Sequence, residues 1–342
     1  MAPSGFILLD KVAGETSFKA LFPLKRVFST KRVGHAGTLD LRASGLIIAA
    51  TGRATRLLPY VEAKDKCYTF RLHLGYETDT LEWDGDVVAQ DERAFDVAMA
   101  ASYKLAWPRP SALECSLGNS QPSQDKESVA LSDALVSVLP QFTGDIDQVP
   151  PRYCAVKIDG RRASDWAQRG KDLEMKPRRI HIESLKVVGE GGVTEGCSGK
   201  EFATFDIECV CSKGTYVRAL GRDIARALGT CGCVSQIRRH RIGKVSVESA
   251  VRGEDLTREH LKSVEQVLDF PVVKLDDDQM AVIRKGNWVP WRETIEGVER
   301  QQGRGDDCER LVFAADAEGN VLSVCRYEPG RICPKIYLGE DE

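Results

Sequence analysis

Long apolar runs are missing from this sequence. Around its most glycine-rich stretch the longest is Leu46 to Ala50, "LIIAA", far short of the roughly 20 residues a membrane helix needs, so no membrane span is expected. The start, "MAPSGFILLDK", has no basic segment followed by a long apolar one; a secretory signal is therefore not expected, and a cytoplasmic location is. Paired CxxC knuckles are missing too. The eleven cysteines include the close pairs Cys209/Cys211 and Cys231/Cys233, but no nearby histidines complete a zinc set. Reduced core thiols are the expectation, with no metal. No internal repeat is visible. A positive net charge is lacking as well: the formal charge is −3, which taken whole argues against a nucleic-acid partner.

The distribution of charge says otherwise. Residues 19–42 hold six Lys/Arg against one Asp, 152–179 hold nine against four acids, and 213–244 hold eight against one. These segments carry +5, +5 and +7, which leaves −20 on the rest of the chain. Any one segment alone reads as a solvated helix face. All three also contain the unusual motifs, and a basic groove on an acidic body accounts for that coincidence.

The 342 residues, 42% of them hydrophobic, are enough for a sizeable core and for two domains, or one with an appendage. "GFILLDK" and "GLIIAATG" read as buried strands, "KCYTFRLHLG" as an alternating one, and "SFKALFPLKRVF" and "ATRLLPYVEAK" as helical. A helix is expected near "AFDVAMAASYKLA", followed over 107–128 by a Pro-, Ser- and Gln-rich loop or disordered insertion without assigned chemistry. "ALSDALVSVLPQF" predicts a helix. "PPRYCAVKIDGRRASDWAQRG" predicts an extended segment, a turn at Asp159-Gly160 and a short helix. Strands at "RRIHIESLKVV" and "EFATFDIECVCS" then lead through a glycine turn into a helix in "KGTYVRALGRDIARALG", with Gly229 as its stop. From about residue 271, short β segments predict a small separate β domain.

Within "RVGHAGTLDLRASG", residues 32–45, three glycines surround one histidine and one aspartate, Asp40. Gly34, Gly37 and Gly45 lack a Cβ and permit close backbone approach. By itself Asp40 reads as a turn aspartate bonded to its own backbone.

"GHAGTLDLRASGLIIAATGRATR", "KCYTFRLHLGYETDT", "PPRYCAVKIDGRRA" and "CSKGTYVRALGRDIA" occur in the order and spacing of the TruB family, the synthases that make pseudouridine in the T-loop of tRNA. The resemblance covers about residues 5–250, and the tail resembles a small PUA-like RNA-binding domain. It implies an α+β pseudouridine synthase fold: a long mixed, largely antiparallel sheet flanked by helices, with a small C-terminal β domain. The implied boundaries are a catalytic domain over 1–250 with an RNA-gripping insertion near 150–180, a linker helix over 251–270, and the PUA-like domain over 271–342. The implied reaction detaches a uracil from C1′ of its ribose, at tRNA position 55, turns it and rejoins it through C5, without cofactor or metal. The resemblance makes Asp40 the participant, as nucleophile or as base, and a uridine inside a folded loop must be swung out to reach it.

The same resemblance pairs Arg218 with Asp40, which would keep the carboxylate ionised, and adds Asp79 to that polar network. It makes Tyr68 the residue that stacks on the flipped uracil. His35 becomes the residue that packs into the RNA where the base has left. Tyr216 is implied as pocket wall and Lys213 as a phosphate contact, with Arg161 and Arg162 gripping substrate from the insertion. Taken without the motifs, Tyr68 reads as core packing, Arg218 as a surface residue and His35 as an exposed turn residue. Two positions depart from the family pattern: Leu41 stands where proline is usual, and His240 where threonine or an apolar residue is commoner.

The partner expected is the tRNA T-arm stem-loop, bound by a monomer with no membrane association. Two alternatives remain: a guide-RNA-dependent, dyskerin-like synthase, and a non-catalytic RNA-binding or RNA-folding module. The basic insertion favours the stand-alone enzyme over the first, and Asp40, Tyr68 and Arg218 together disfavour the second.

Overall fold

A computed structural model describes residues 3–91, 131–158, 160–171, 174–189, 191–195, 201–298, 300–302 and 308–339. The helix expected near 94–106 and the loop expected over 107–128 lie outside the described residues. By compactness the chain divides into two units, Met1–Lys66 with Arg239–Glu342, and Cys67–Arg238.

In the first unit the strand Gly5–Lys11 pairs antiparallel with Ser44–Thr51, from Gly5 opposite Thr51 to Lys11 opposite Gly45. The short strand Val33–Ala36 also pairs with 44–51, from Val33 opposite Thr51 to Ala36 opposite Ile48. Residues 45–51 are buried throughout, as their continuous apolar run requires of a strand covered on both faces. The expected helix at 17–28 forms as a 3-10 turn, Lys19–Leu21, followed by an α-helix, Phe22–Val27. That at 54–64 forms as a 3-10 turn, Gly52–Leu57, and an α-helix, Leu58–Glu62.

The C-terminal residues build a sheet of their own, in the strand order Val272–Lys274, Cys308–Ala315, Val321–Glu328, Arg331–Tyr337, Val289–Pro290. Alternation along these strands serves two cores. Leu311, Phe313, Val324 and Ile336 pack with Phe6, Leu46, Ile48, Tyr60 and Phe270. Val312, Ala314, Cys325 and Ile332 pack with Met280 and Ile283 of the helix Asp277–Arg284. The tail therefore shares a hydrophobic core with the first 66 residues.

The segment expected as a linker helix, 251–270, contains no α-helix. It holds two 3-10 turns, Gly253–Asp255 and Arg258–His260. Its backbone is engaged by the strand 5–11 instead: Val251 bridges Leu9, and Lys262 bridges Phe6. Those bridges take the N–H and C=O groups that a helix would use internally.

The second unit is a largely antiparallel sheet in the order Gly232–Ile242, Lys66–Leu74, Glu201–Cys211, Arg178–Val187, Gly144–Gln148, with Gly192–Glu195 on the strand 201–211. The strand 232–242 runs on into the first unit from Arg239. Leu131–Val138 is a helix, as its spacing predicts. The helix Val217–Ala227 follows the strand 201–211 and buries Val217, Leu220, Ile224 and Ala225. It stops as expected. Gly229 has φ +78°, its N–H bonds the Arg226 carbonyl, and the Thr230 N–H reaches back to the Ala225 carbonyl at 3.1 Å, the paired bonds of a Schellman C-cap.

Candidate active site

Asp40 sits half-buried on the seven-residue turn between the strands 33–36 and 44–51. The turn is held from outside on both sides of it. Before Asp40, the Ser17 hydroxyl accepts from the Leu39 N–H at 2.9 Å and donates to the Leu39 carbonyl at 3.1 Å. After Asp40, the Leu41 carbonyl accepts from the Gly14 N–H at 2.8 Å. The ammonium of Lys11, only 2% exposed, donates to the carbonyls of Ala43 at 2.6 Å, Val12 at 3.0 Å and Leu41 at 3.3 Å. Those three acceptors satisfy a cation whose burial would otherwise be costly.

Arg239, 1% exposed, ties the two ends of the turn together. Its Nε donates to the Leu46 carbonyl at 2.7 Å, and its Nη2 to the Gly37 carbonyl at 3.2 Å. Its backbone lies so close to Gly45 that a Cβ there would run into the Arg239 carbonyl oxygen. Gly45 also has φ +102°, so any other residue is excluded twice over. The backbone that carries the Asp40 carboxylate is thereby held from several sides. Leu41, beside it, is 49% exposed.

His35 lies on the strand 33–36, opposite Ala49, and is half-buried rather than an exposed turn residue. Burial, and next the nearby Arg239 guanidinium, lower its pKa, with Glu62 acting in the opposite sense. The ring is neutral at neutral pH. His240 is half-buried at the end of the strand 232–242.

The second unit gathers several of the other candidates. Arg218, 5% exposed, is a buried residue on the first turn of the helix 217–227. Its Nη1 donates to the Thr80 carbonyl at 2.8 Å, its Nη2 to the Tyr153 carbonyl at 2.9 Å, and Glu82 lies 3.8 Å from its Nε. Asp79 belongs to the same group. Its backbone and carboxylate both bond Asp86, and after burial its charge raises the pKa of the nearby Tyr153 hydroxyl. Arg218 thus bonds the carbonyls of Thr80, next in sequence to Asp79, and of Tyr153, whose hydroxyl feels the Asp79 charge.

Tyr216 is the residue that precedes the helix, and its backbone N–H and C=O are both held by the Gln148 amide, at 2.9 and 3.1 Å. Its ring packs on Cys154, Val156 and Ala163. Burial, and next Cys154, push its hydroxyl up to about 12. Tyr68 is buried in the strand 66–74. Lys213 is exposed in the turn before the helix. Arg161 and Arg162 are exposed on a hairpin of two two-residue strands, Lys157–Ile158 and Arg161–Arg162, followed by the short helix Ala163–Ala167. The Arg161 guanidinium lies 5.3 Å from the centre of the Trp166 ring.

Ser17, Lys11, Arg239 and Tyr153 are not singled out by the sequence. Lys11 carries a usable signal there, a lysine closing an otherwise buried strand. The other three carry none in a single sequence.

Among the described residues no three His, Cys, Asp or Glu side chains gather where they could hold a metal, and no helix is long and apolar enough to cross a membrane.

The fold is that of the pseudouridine synthases. The chain superimposes with TM-score 0.62 and 20% identity on a chain of the crystal structure of a Cbf5-Nop10-Gar1 complex, and with 0.63 and 17% on one from an H/ACA RNP bound to a substrate RNA containing 2′-deoxyuridine. In each case 98% of this chain and 85% of the other are covered. Within that class the sequence is decisive: the chain belongs to the TruB family of pseudouridylate synthases, whose N-terminal-domain model matches residues 25–105 and 112–217. A tRNA pseudouridine synthase B from Borrelia garinii subsp. bavariensis is 33% identical over 286 residues, 84% of this chain and 86% of that one. Another from Caulobacter sp. (strain K31) is 32% identical over 343 residues, 97% and 95% of the two chains.

Proposed function

We propose that this pseudouridine synthase acts on tRNA, converting a T-loop uridine, that of position 55, as a stand-alone monomer. The observation that carries the reading is the turn of Asp40, whose backbone is bonded from outside at residues 37, 39, 41, 43 and 46, leaving the carboxylate on a fixed frame. The T-loop uridine is swung out of its stack, and Asp40 acts on it as nucleophile or base while the C1′ bond to N1 breaks and one to C5 forms. Arg218 is assigned the role of holding that carboxylate charged, Tyr68 that of stacking on the uracil, and His35, a neutral ring at neutral pH, that of packing into the space the base vacates. Tyr216 and Asp79 shape the pocket. Lys213, Arg161 and Arg162 contact phosphates, and the C-terminal sheet contributes a further RNA contact.

The test is a purified-protein assay on an isolated T-arm stem-loop with EDTA present and no guide RNA, the product being mapped by chemical labelling of pseudouridine. One uridine is expected to convert. Conversion only on addition of a guide RNA would instead favour the dyskerin-like reading, and binding without conversion a non-catalytic module.

A further inference from the structure

The segment 17–28 has two apolar faces, and the fold uses only one. Leu21, Leu24 and Phe28 are buried, as is Ala20, while Phe18 and Phe22, one helical turn apart on the opposite side, are 60% and 49% exposed. The two exposed rings form an edge-to-face pair with centroids 5.6 Å apart at 81°. The Lys25 ammonium sits over both, 4.4 Å from the centre of Phe18 and 5.0 Å from that of Phe22. Arg26, the next residue along the same stripe, is exposed, and Lys19, Lys31 and Arg32 are exposed around it. From Phe18 to Leu39 the sequence has no carboxylate.

We infer that Phe18 and Phe22 form a stacking platform for an unpaired base of the substrate RNA other than the target uridine. Three observations point to RNA. Exposed aromatic rings among cations, on a stretch with no carboxylate of its own, are the combination that single-stranded nucleic acid binds: ring faces take bases, and cations take phosphates. An exposed apolar pair of this size has a cost in water that a binding role offsets. The pair is also fixed to the Asp40 turn. Phe18 directly follows Ser17, whose hydroxyl holds Leu39 through both its N–H and its carbonyl. RNA whose flipped base lies at Asp40 passes next to these rings, and the Lys25 ammonium that caps them in the free protein can move to a phosphate.

The inference rests on the tRNA reading above, and the experiment separates the two. Binding and turnover of an unmodified tRNA transcript are measured on the full-length protein, for wild type, Phe18→Ala/Phe22→Ala, Phe18→Tyr/Phe22→Tyr and Phe18→Leu/Phe22→Leu. Because both side chains are exposed, the variants are expected to unfold at the wild-type temperature. The alanine variant should bind about fivefold more weakly or worse for each ring removed. The tyrosine variant should keep wild-type affinity, and the leucine variant should behave as alanine does. Lys25→Gln should lower the slope of log affinity against log salt by about 0.7 to 0.9.

Unchanged affinity in the alanine variant, with wild type binding and converting tRNA, overturns the platform alone. So does full affinity in the leucine variant, since a leucine cannot stack. A wild-type self-association that the alanine variant abolishes, at unchanged tRNA affinity, assigns the patch to a second copy of the chain and also overturns the inference. Wild type that binds no tRNA overturns the reading beneath it, and the platform with it.

Discussion

The turn of Asp40 and the hairpin of Arg161 and Arg162 are both short, polar connections between strands, but they are held differently. Around Asp40, Ser17, Lys11 and Arg239 reach in from three other parts of the first unit and bond the turn's own backbone. The hairpin has two-residue strands, and its arginines are exposed. Its ties are local: the Trp166 indole donates to the Ile158 carbonyl at 3.2 Å, and the Ala163 N–H to the Val156 carbonyl at 2.7 Å. Chemistry depends on sub-ångström placement and so needs a frame that cannot relax. Phosphate contacts act over several ångströms and tolerate a looser one. Mutations in the first region should therefore cost turnover, and those in the second should cost affinity.

The largest effect short of removing the carboxylate itself is expected from Arg239→Met. Two charged hydrogen bonds across the ends of the turn disappear, about 3 kcal/mol of stability at roughly 1.5 kcal/mol each. Turnover should fall by more than about 100-fold in the protein that remains folded. Denaturant melts and single-turnover rates check both. A fall in stability without one in rate would show that the frame does not position Asp40.

Arg218→Ala leaves the Thr80 and Tyr153 carbonyls without their donor and removes the charge assigned to Asp40. It should lower kcat by about 100-fold while changing tRNA affinity only a few-fold. Turnover near wild type would refute the role given to Arg218.

A smaller effect separates stability from catalysis. The His73 ring is buried against Trp83, 4.1 Å between centroids, and shares a 2.7 Å hydrogen bond with the Ser235 hydroxyl. Burial, and next Arg71, lower its pKa to about 3. Between the ordinary value near 6.5 and about 3, the unfolded chain binds a proton that the folded chain refuses. Stability is therefore full above pH 6.5 and is lost as pH falls, at up to about 1.4 kcal/mol per pH unit from this residue. Urea unfolding between pH 7 and 4 should show that slope in wild type and a shallower one in His73→Gln.

The smallest change per residue is expected in the loosely held region. Replacing Arg161 and Arg162 there, together with the exposed Arg178 and Arg179 that open the strand 178–187, with glutamine should leave single-turnover chemistry intact at saturating RNA. It should lower the slope of log affinity against log salt by about 0.7 to 0.9 for each phosphate the protein no longer neutralises. An unchanged slope would place the RNA elsewhere.

Much of this organisation is legible in the sequence. Continuous apolar runs locate the strands at 5–11 and 44–51, alternation locates that at 66–74, further β segments fall at 178–187 and 201–211, and helical apolar spacing locates the helix at 217–227. Gly45 marks the place where the turn of Asp40 meets another backbone. The frame around that turn is not legible. A buried Arg239 looks like a surface cation until the carbonyls it serves are known, and those carbonyls, of Gly37 and Leu46, are about 200 residues away in sequence. The tail reads as a separate domain because its short β segments are divided by polar turns. Only the packing of Phe313 and Ile336 with Phe6 and Tyr60 shows one continuous core. In 251–270 the expected helix gives way to bridges with the strand 5–11, a tertiary choice that local propensity does not record.

The most direct measurement is the behaviour of Asp40→Asn on a T-arm stem-loop. The substitution keeps size and removes the reactive charge from a turn whose frame lies in other residues. Pseudouridine formation should drop by more than about 1000-fold, while affinity stays within a few-fold of wild type. Substantial turnover by the Asn variant would contradict the account, because the rigid turn would then be displaying a residue the reaction does not use.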